Sequence, residues 1–408
     1  MTGKVEHYDA VVVGASFAGL AAAGQLAGAG RVLLADREPP GTGQTSACGT
    51  LLAVLERLDA AGALEQVHPR IAINVAGRQV IFEPAYPFAT FDYTTLCAIL
   101  ASRLDGVETL AAGLRGVTAG RVLDFGERKV TAPVLIDASG WRSVLARALG
   151  APGPDRSAMS FGLEAAHGHG GCELEFWVRP PDCPDGVFWA FPAGPAVREG
   201  IASYAARSAG LRGGLERFAH ARAFPARAIH GGFFPARLRQ PVVAGVFAVG
   251  DAAGQCLPLT GEGIRPALVW GQAAGRQARR VLDGEASLDQ ALAGYRAEVL
   301  ARRREYQILH ALQAAAVKAP LGLVLRGTRT LTGGRLARLA QDAYWRAADP
   351  ATLETAPGVT SDTRIEAAQC ARGPAAHGDS CACAQCRSEP PSRAFSPSAG
   401  GGPAASRA

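Results

Sequence analysis

A strand, a glycine turn, a helix and a second strand follow one another near the N-terminus, and this order constrains the fold most. Residues 8–13 (YDAVVV) are a continuous apolar run, which is typical of a parallel strand buried on both faces. Residues 14–19 (GASFAG) predict a tight turn, residues 20–29 an alanine-rich helix, and residues 31–36 (RVLLAD) the second strand. Two strands joined in this way predict an α/β fold.

The residues of this turn favour a bound dinucleotide. Gly14 permits the turn, Gly19 permits close packing of helix on strand, and Ser16 replaces the usual middle glycine. The helix N-terminus is placed to face a pyrophosphate, and Asp36 is placed to accept hydrogen bonds from a ribose. The alternative is a strand–helix–strand unit without a ligand. The predicted contacts at this end are Gly14, Ala15, Ser16, Ala18, Gly19, Asp36 and Arg37.

A second signal lies far downstream, at residues 245–263 (GVFAVGDAAGQCLPLTGEG). An apolar strand ends at Gly250 and Asp251, and a turn rich in glycine and proline leads into a helix. An acidic residue at this position is placed to hold a ribityl hydroxyl, while the helix end faces an isoalloxazine ring. Because the two signals suit the two ends of one extended dinucleotide, the sequence predicts FAD as the cofactor.

Four segments together resemble the geranylgeranyl reductase family, which belongs to the FAD-dependent oxidoreductases built like aromatic hydroxylases. They are GASFAGLAAA at the start, DASGWRSVLAR at 137–147, FWAFPAG at 188–194 and residues 250–264, of which the last is the most specific. The resemblance covers roughly residues 8–285. It implies FAD with Asp251 at the ribitol, Gly263 and Ile264 near the flavin ring, and Arg103 in contact with the cofactor.

The resemblance also implies a loop over the flavin at Cys48 and Gly49, and support of the nucleotide domain by Asp137, Gly140 and Ser143. Gly250 and Gly261 complete the predicted cofactor contacts. Trp189, Phe191 and Pro258 are the predicted substrate contacts. The alternative for the two aromatic residues is an ordinary place in the core, where alternating aromatic residues of strands more often lie.

The predicted architecture is a split, three-layer FAD-binding domain of Rossmann type, with an inserted antiparallel sheet domain for the substrate and a helical C-terminal segment. The predicted FAD-binding parts are residues 1–75, 93–155 and 241–285. The predicted substrate-domain parts are residues 76–92 and 156–240. A basic helical segment is predicted over residues 286–350, and a disordered tail rich in alanine, glycine and proline over residues 357–408.

Three functions suit these residues. The leading hypothesis is a reductase that saturates C=C bonds of a prenyl or similar lipid-like group. The alternatives are a flavin monooxygenase on the same scaffold, and an electron-carrying flavoprotein that docks through its basic helices. Disulfide reductases need a dithiol, and Cys48 stands alone. Because no second dinucleotide motif follows in the middle of the chain, the electron donor is predicted to be transiently bound NADPH or a ferredoxin-like protein.

Cys48 is the first candidate for catalysis. A thiol over a flavin suits a proton donor or a redox partner, and the alternative is a small buried side chain that only packs. Glu262 is the second candidate, because it is the only carboxylate in the turn formed by residues 260–262.

Charge is distributed unevenly along the chain. The net charge is +6, and residues 265–346 hold fourteen arginine and lysine residues against six acidic ones. This region favours an anionic membrane surface or a phosphorylated substrate, and the alternative is a solvated helical face. No nucleic-acid partner is predicted. Because neither a signal peptide nor an apolar stretch of about 18 residues is present, the predicted location is the cytoplasm, with peripheral contact at the inner face of the membrane as an alternative.

Nine cysteines in a chain without an export signal argue against a disulfide framework. The tail holds Cys370, Cys381, Cys383 and Cys386, whose spacing matches no iron–sulfur cluster. Zinc bound by three of these cysteines and His377 is the alternative. The prediction is that the chain holds no metal.

Overall fold

The structure is a computed structural model that describes residues 4–44, 46–168, 173–205, 209–222 and 228–354. The predictions for the tail and its cysteines lie outside these residues. The strands are β1 (Val5–His7), β2 (Ala10–Val13), β3 (Val32–Asp36), β4 (Gly49–Leu51), β5 (Leu64–His68), β6 (Ile71–Val75), β7 (Arg78–Phe82), β8 (Phe88–Phe91), β9 (Val107–Ala111), β10 (Gly116–Thr118), β11 (Val122–Asp124), β12 (Lys129–Thr131), β13 (Val134–Asp137), β14 (Met159–His167), β15 (Leu174–Val178), β16 (Gly186–Ala193), β17 (Ala196–Ser203), β18 (His230–Pro235), β19 (Val242–Val243) and β20 (Val246–Ala248).

The helices alternate with the strands in the first part of the chain and follow one another after residue 263. They are α1 (Phe17–Gln25), α2 (Leu52–Arg57), α3 (Tyr93–Ala101), α4 (Val144–Ala148), α5 (Leu211–Ala221), α6 (Ile264–Leu282), α7 (Leu288–Leu300), α8 (Arg303–Lys318), α9 (Leu321–Thr332) and α10 (Gly334–Ala347). The mixed α/β fold class is confirmed.

A six-stranded sheet lies at the centre of the nucleotide half, in the order β19-β20-β13-β2-β3-β9. All its pairs are parallel except β19 with β20. Alternate residues of its strands face two cores: Val12 and Leu34 pack beneath α1 and α6, whereas Val11 and Leu33 pack towards the four-stranded sheet β1-β12-β11-β10. Continuous apolar strands are therefore buried on both faces.

Helices α1 and α6 cross in very close contact. A Cβ atom at Gly271 would lie 2.5 Å from the carbonyl oxygen of Ala18, and one at Gly275 would lie 2.5 Å from that of Ala22. Glycine on one helix and alanine on the other thus bring the two backbones together, and the helices begin on the same side of the sheet, where the cavity described below opens.

A second large sheet has seven strands in the order β18-β14-β17-β16-β15-β6-β7. Its pairs are antiparallel except β15 with β6, which are parallel. Helix α5 covers one face, where Leu211 and Leu215 pack with Ala165 and Ile201. The other face forms a wall of the cavity.

The structure differs from the sequence-based expectation at several boundaries. Strand β6 (Ile71–Val75) joins the seven-stranded sheet although residues 1–75 were assigned to the nucleotide half, and β8 pairs with β4 and β5 in a sheet of three. The continuous apolar run at residues 242–249 predicts one buried strand, but it forms two strands, β19 and β20. The reason is a turn at Ala244 and Gly245, both with positive φ, which a continuous apolar sequence conceals. Helix α5 was not predicted.

The C-terminal helices α7 to α10 confirm the expected helical segment. Helix α8 contacts the 250–263 loop, because the side chain of Gln313 accepts a hydrogen bond of 2.8 Å from the amide of Leu259. Tyr86 stacks on Trp345 with ring centroids 3.9 Å apart, which attaches α10 to the segment after β7. Among the described residues, no helix combines the length and the apolar character needed to cross a membrane.

Candidate functional site

One large cavity of about 1760 Å³ lies between the two large sheets and the C-terminal helices. Its wall has three parts: the loops at the C-terminal edge of the six-stranded sheet, one face of the seven-stranded sheet, and helices α8 to α10. The first part holds most of the residues predicted to contact the cofactor: Gly14, Ala15, Ser16, Ala18, Asp36, Arg37, Gly250, Asp251, Gly261, Gly263 and Ile264. The structure therefore brings the two distant sequence signals together.

The first glycine turn has no space for larger residues. Gly14 has φ of +110°, and a Cβ atom there would lie 2.2 Å from the carbonyl oxygen of Ala138. A Cβ atom at Gly19 would lie 1.7 Å from the carbonyl oxygen of Gly14, so α1 packs directly on the turn. Gly19 itself lies behind the cavity wall, and its role is this packing.

The N-terminus of α1 is open towards the cavity. Ser16 is its N-cap residue, yet no side chain caps the helix and no acidic residue stands in its first turn. The amide of Ala15 donates a hydrogen bond of 2.6 Å to Oδ2 of Asp36. A helix end of this kind suits a phosphate, and the carboxylate of Asp36 at the edge of the turn suits a ribose hydroxyl.

Two stretches of the nucleotide wall hold residues that were not predicted to contact the cofactor, although the second stretch lies within the 137–147 segment that carries the family resemblance. Gly113 and Leu114 follow β9 and line the cavity beside Arg37, with only 3.4 Å between a Cβ atom at Gly113 and Cβ of Arg37. Ser139 and Trp141 line it after β13. Both stretches follow strands of the six-stranded sheet at the edge where ligands of such sheets bind, and that position is the signal that could have identified them.

The loop after β20 holds an acidic residue, Asp251, that lines the cavity. The amide of Gly250 donates a hydrogen bond of 2.6 Å to the side chain of Gln255, which in turn donates one of 3.0 Å to the hydroxyl of Tyr295. This network fixes the loop, whereas the carboxylate of Asp251 accepts no hydrogen bond from the described residues. Burial raises the pKa of Asp251 to about 6, although Arg239 acts in the opposite direction. A ribityl hydroxyl would supply the missing donor.

Glu262 does not have the environment of a proton donor. Its carboxylate accepts hydrogen bonds from Nη2 of Arg265 at 2.7 Å, from the hydroxyl of Thr50 at 3.2 Å, and from the hydroxyl of Tyr344. Arg265 is fully buried and also donates a hydrogen bond of 2.6 Å to the carbonyl of Ala348. These contacts hold the Glu262 carboxylate between α6 and α10, so its place in the structure is the joint between these two helices.

The residues of the nucleotide wall fit FAD. Open amides at one helix end, two carboxylates at the ends of strands and glycine turns without room for a Cβ atom together form a cradle for an extended dinucleotide. The N-terminus of α6 at Gly263 lines the same wall and brings its positive end towards the cavity.

Cys48 lines the cavity as expected, but its thiol is a poor acid. It is fully buried with φ of +52°, accepts a hydrogen bond of 3.2 Å from Gln44 and donates one of 3.3 Å to the carbonyl of Ser46. Burial raises the pKa of the thiol far above its usual range, although Arg198 acts in the opposite direction. A general acid works best when its pKa lies near the working pH. The structure therefore argues against Cys48 as the proton donor.

The seven-stranded sheet contributes an aromatic wall. Trp189 and Phe191 line the cavity, as predicted for substrate contacts, and Phe176 packs on Phe191 with ring centroids 5.3 Å apart. A Cβ atom at Gly49 would lie 3.0 Å from Phe191, so the Cys48–Gly49 loop touches this wall. A buried carboxylate on the same face, Glu164, was not predicted.

Two predicted site residues lie away from the cavity. The side chain of Arg103 donates a hydrogen bond of 3.3 Å to the carbonyl of Asp59, and Arg103 is not among the residues that line the cavity. Pro258 is buried inside its turn, and the neighbouring Leu259 and Thr260 line the cavity instead. The described residues contain no group of three or more side chains arranged to hold a metal ion.

Comparison with known proteins shows which proteins share the fold. No model of a known protein family matches the chain. A geranylgeranyl bacteriochlorophyll reductase-like protein from Thermoplasma acidophilum superimposes with a TM-score of 0.73 at 19% identity, over 86% of this chain and 98% of that one. PqsL, a probable FAD-dependent monooxygenase from Pseudomonas aeruginosa, superimposes with a TM-score of 0.61 at 20% identity, over 77% and 96%. The fold is that of the FAD-dependent oxidoreductases.

Within that class, the resemblance to the geranylgeranyl reductase family is confirmed. A curated relative, digeranylgeranylglycerophospholipid reductase 2 of Methanothermobacter thermautotrophicus, is 32% identical over 115 residues. The match spans 27% of this chain and 30% of the relative.

Proposed function

We propose that the protein is an FAD-dependent reductase that saturates C=C bonds of a prenyl or other lipid-like chain. The observation that carries this proposal is the continuity of the cavity. One space of about 1760 Å³ runs from the dinucleotide cradle to a chamber with aromatic and aliphatic walls. The names of the two reductase relatives support the same substrate class.

The chamber suits a long apolar substrate. The seven-stranded sheet contributes Phe176, Trp189 and Phe191, and the opposite wall consists of α8 to α9, with Leu309, Leu312, Ala315, Ala316, Leu323, Val324 and Leu331. Burying apolar substrate surface against such walls contributes roughly 25 cal/mol per Å². These residues would bind the chain, exclude water and orient a double bond towards the Cys48–Gly49 loop. Bound FAD, once reduced, supplies a hydride to one carbon of that double bond.

Anaerobic incubation of the reduced protein with an isoprenoid lipid tests the proposal. Mass spectrometry should show a gain of two hydrogen atoms for each double bond. In a parallel incubation under ¹⁸O₂, incorporation of labelled oxygen would instead favour a monooxygenase, a candidate supported by the similarity to PqsL. Unchanged lipid together with rapid reduction of a second protein would favour an electron carrier. Anaerobic mixing with NADPH or with reduced ferredoxin identifies which of the two proposed donors reduces the flavin.

Helices α9 and α10 support a contact with an anionic membrane as the source of the substrate. Leu323, Leu336 and Leu339 are 60%, 56% and 63% exposed, although leucine is usually buried. Arginines stand among them at positions 326, 329, 335 and 338. Because Leu323 and Leu331 also line the cavity, the exposed apolar surface continues into the chamber. A lipid chain could thus pass from a bilayer into the chamber without crossing water.

Sedimentation with vesicles tests this contact. The protein should bind vesicles that contain anionic lipid, and binding should fall with added salt and in the double variant Leu336→Ser, Leu339→Ser. The matched control is Ile81→Ser, which changes an exposed apolar residue on β7 of the seven-stranded sheet. Equal binding to neutral and anionic vesicles, or equal loss in the control, would contradict the proposal.

A further inference from the structure

A glutamate lies in the apolar wall of the chamber. Glu164 is on β14, between Leu163 and Ala165, which pack with the core beneath α5. Since successive side chains of a strand point to opposite faces, Glu164 points away from α5 and lines the cavity. Its side chain is only 4% exposed. A carboxylate at this depth needs either partners or a proton.

Trp189 holds one oxygen of this carboxylate. The indole Nε1 donates a hydrogen bond of 3.1 Å to Oε2 of Glu164. The indole reaches Glu164 from β16 by crossing Gly200 on β17, where a Cβ atom would lie 2.0 Å from Cζ2 of the ring. The glycine therefore creates the space in which the tryptophan orients the glutamate.

The other oxygen of Glu164 has no hydrogen-bond partner among the residues that the structure describes. Oε1 is buried, and Nε2 of His230 lies 3.8 Å from it, beyond hydrogen-bond distance. Burial lowers the pKa of His230, which favours its neutral form. An orphaned acceptor of this kind is costly to bury unless it carries a proton or meets a ligand. Since the residue lines the cavity, the free oxygen is available to a molecule bound there.

The charges around Glu164 are few. Arg198, on β17, is paired with Glu65 at 3.0 Å and lowers the pKa of Glu164, as does the indole of Trp189. His230 faces it from β18, and Cys48 faces it from the loop before β4. Burial outweighs these effects and raises the pKa of Glu164 to about 7. The group is thus half-protonated near neutral pH, which suits an acid that must also regain its proton.

We infer that Glu164 is the acid that protonates the double bond, and that Trp189 positions it; this inference depends on the proposed reductase function. The O–H bond of Glu164 breaks as its proton forms a C–H bond at one alkene carbon. The hydride that completes the saturation comes to the other carbon from the reduced flavin, which is oxidised by two electrons. Glu164 is left as a carboxylate and recovers a proton from solvent, to which the partly exposed His230 offers a path.

The first test uses infrared spectroscopy of the full-length protein and does not depend on turnover. The carbonyl band of a buried carboxylic acid should titrate near pH 7 in the wild type and disappear in Glu164→Gln. Trp189→Phe removes the hydrogen bond to Oε2, so the midpoint of this band should move to higher pH. The carboxyl of Asp251 gives a separate band with a midpoint near pH 6, which should remain in Glu164→Gln. A wild-type protein without a component that titrates near pH 7, or an unchanged component of this kind in Glu164→Gln, would overturn the inference.

The second test uses turnover of the FAD-loaded enzyme with an isoprenoid lipid. Turnover by the wild type should be greatest below about pH 7 and should fall as the pH rises through the pKa of Glu164. Glu164→Gln should lower it by about 10²–10⁴-fold and remove this dependence, with the flavin still bound. Glu164→Asp should recover part of the loss.

The outcomes separate the inference from the function on which it depends. Full turnover in Glu164→Gln would overturn the role of Glu164 and leave the reductase function intact. Absence of alkene reduction by the wild type would overturn the reductase function and the acid role together. In that case the infrared titration would still show whether the cavity holds a protonated glutamate.

Discussion

At one end of the cavity the wall is mainly backbone, and at the other end it is mainly side chains. The dinucleotide end consists of glycine turns, helix ends and two carboxylates, all within short segments of sequence. The chamber end consists of aromatic residues from the seven-stranded sheet and aliphatic residues from α8 and α9, which are more than a hundred residues apart. The residues of the dinucleotide end therefore follow a local sequence pattern. The residues of the chamber end are brought together only by folding.

The joint between α6 and α10 gives the prediction with the largest effect. Arg265 is fully buried and links Glu262 to the C-terminus of α10. Arg265→Ala leaves the charge of Glu262 uncompensated, so the free energy of unfolding should fall by about 3–5 kcal/mol. Urea denaturation measures this change.

The matched control for Arg265 lies on the same helix. Arg280 is exposed and pairs with Glu285 at 3.8 Å, so Arg280→Ala should cost less than about 1 kcal/mol. Equal losses in the two variants would show that the joint does not depend on the buried pair.

The next prediction concerns the backbone contacts of the dinucleotide end. Gly19→Ala places a Cβ atom 1.7 Å from the carbonyl oxygen of Gly14, which cannot move without opening the turn. The free energy of unfolding should fall by about 3 kcal/mol, and FAD should be lost on purification.

Gly24 provides the control, because it lies on the same helix with no atom within 4 Å of a Cβ atom. Gly24→Ala should leave FAD bound and raise stability by up to about 1 kcal/mol, since alanine favours a helix. Loss of FAD from both variants would contradict the steric explanation.

A smaller effect is expected at the ribityl end. Asp251→Asn should weaken FAD binding by about 1.5–3 kcal/mol, because a charge-assisted hydrogen bond is lost. In the wild type the affinity should fall as the pH drops below about 6, where the raised pKa of Asp251 leaves the carboxyl protonated. Fluorescence titration with FAD measures both effects. The variant should not show this pH dependence, and an identical dependence in the two proteins would exclude Asp251 as its cause.

Cys48→Ser should have the smallest effect. If Glu164 is the acid, the thiol contributes packing, and turnover should stay within about tenfold of the wild type. FAD should remain bound, because serine is nearly isosteric. A loss of about 10²–10⁴-fold in this variant, with full turnover in Glu164→Gln, would return the catalytic role to Cys48.

The comparison also explains which predictions from the sequence were correct. Gly14, Gly19 and Asp251 were identified because a turn that needs glycine and an acid at a strand end leave a local pattern. Arg103 was placed by the family resemblance and Pro258 by its position in the 250–264 segment, and neither residue lines the cavity.

The role of Glu262 could not be predicted, because its partner Tyr344 is 82 residues away. Glu164 was missed for the same reason, since its burial depends on strands and loops from distant segments. The sequence did hold one signal: a glutamate within the otherwise apolar strand MSFGLEAA. A charged residue at such a position requires an explanation.

The close crossing of α1 and α6 has a consequence for the length of the ligand. Gly271 and Gly275 place α6 directly on the backbone of α1, so the two helix ends that face the cavity keep a constant separation. One end suits a pyrophosphate and the other the flavin ring, and loop motion cannot bring them closer. FMN carries the flavin ring and one phosphate of FAD but no adenosine, so both cofactors can engage the two helix ends. The group that distinguishes them is the carboxylate of Asp36, which is placed for the adenosine ribose.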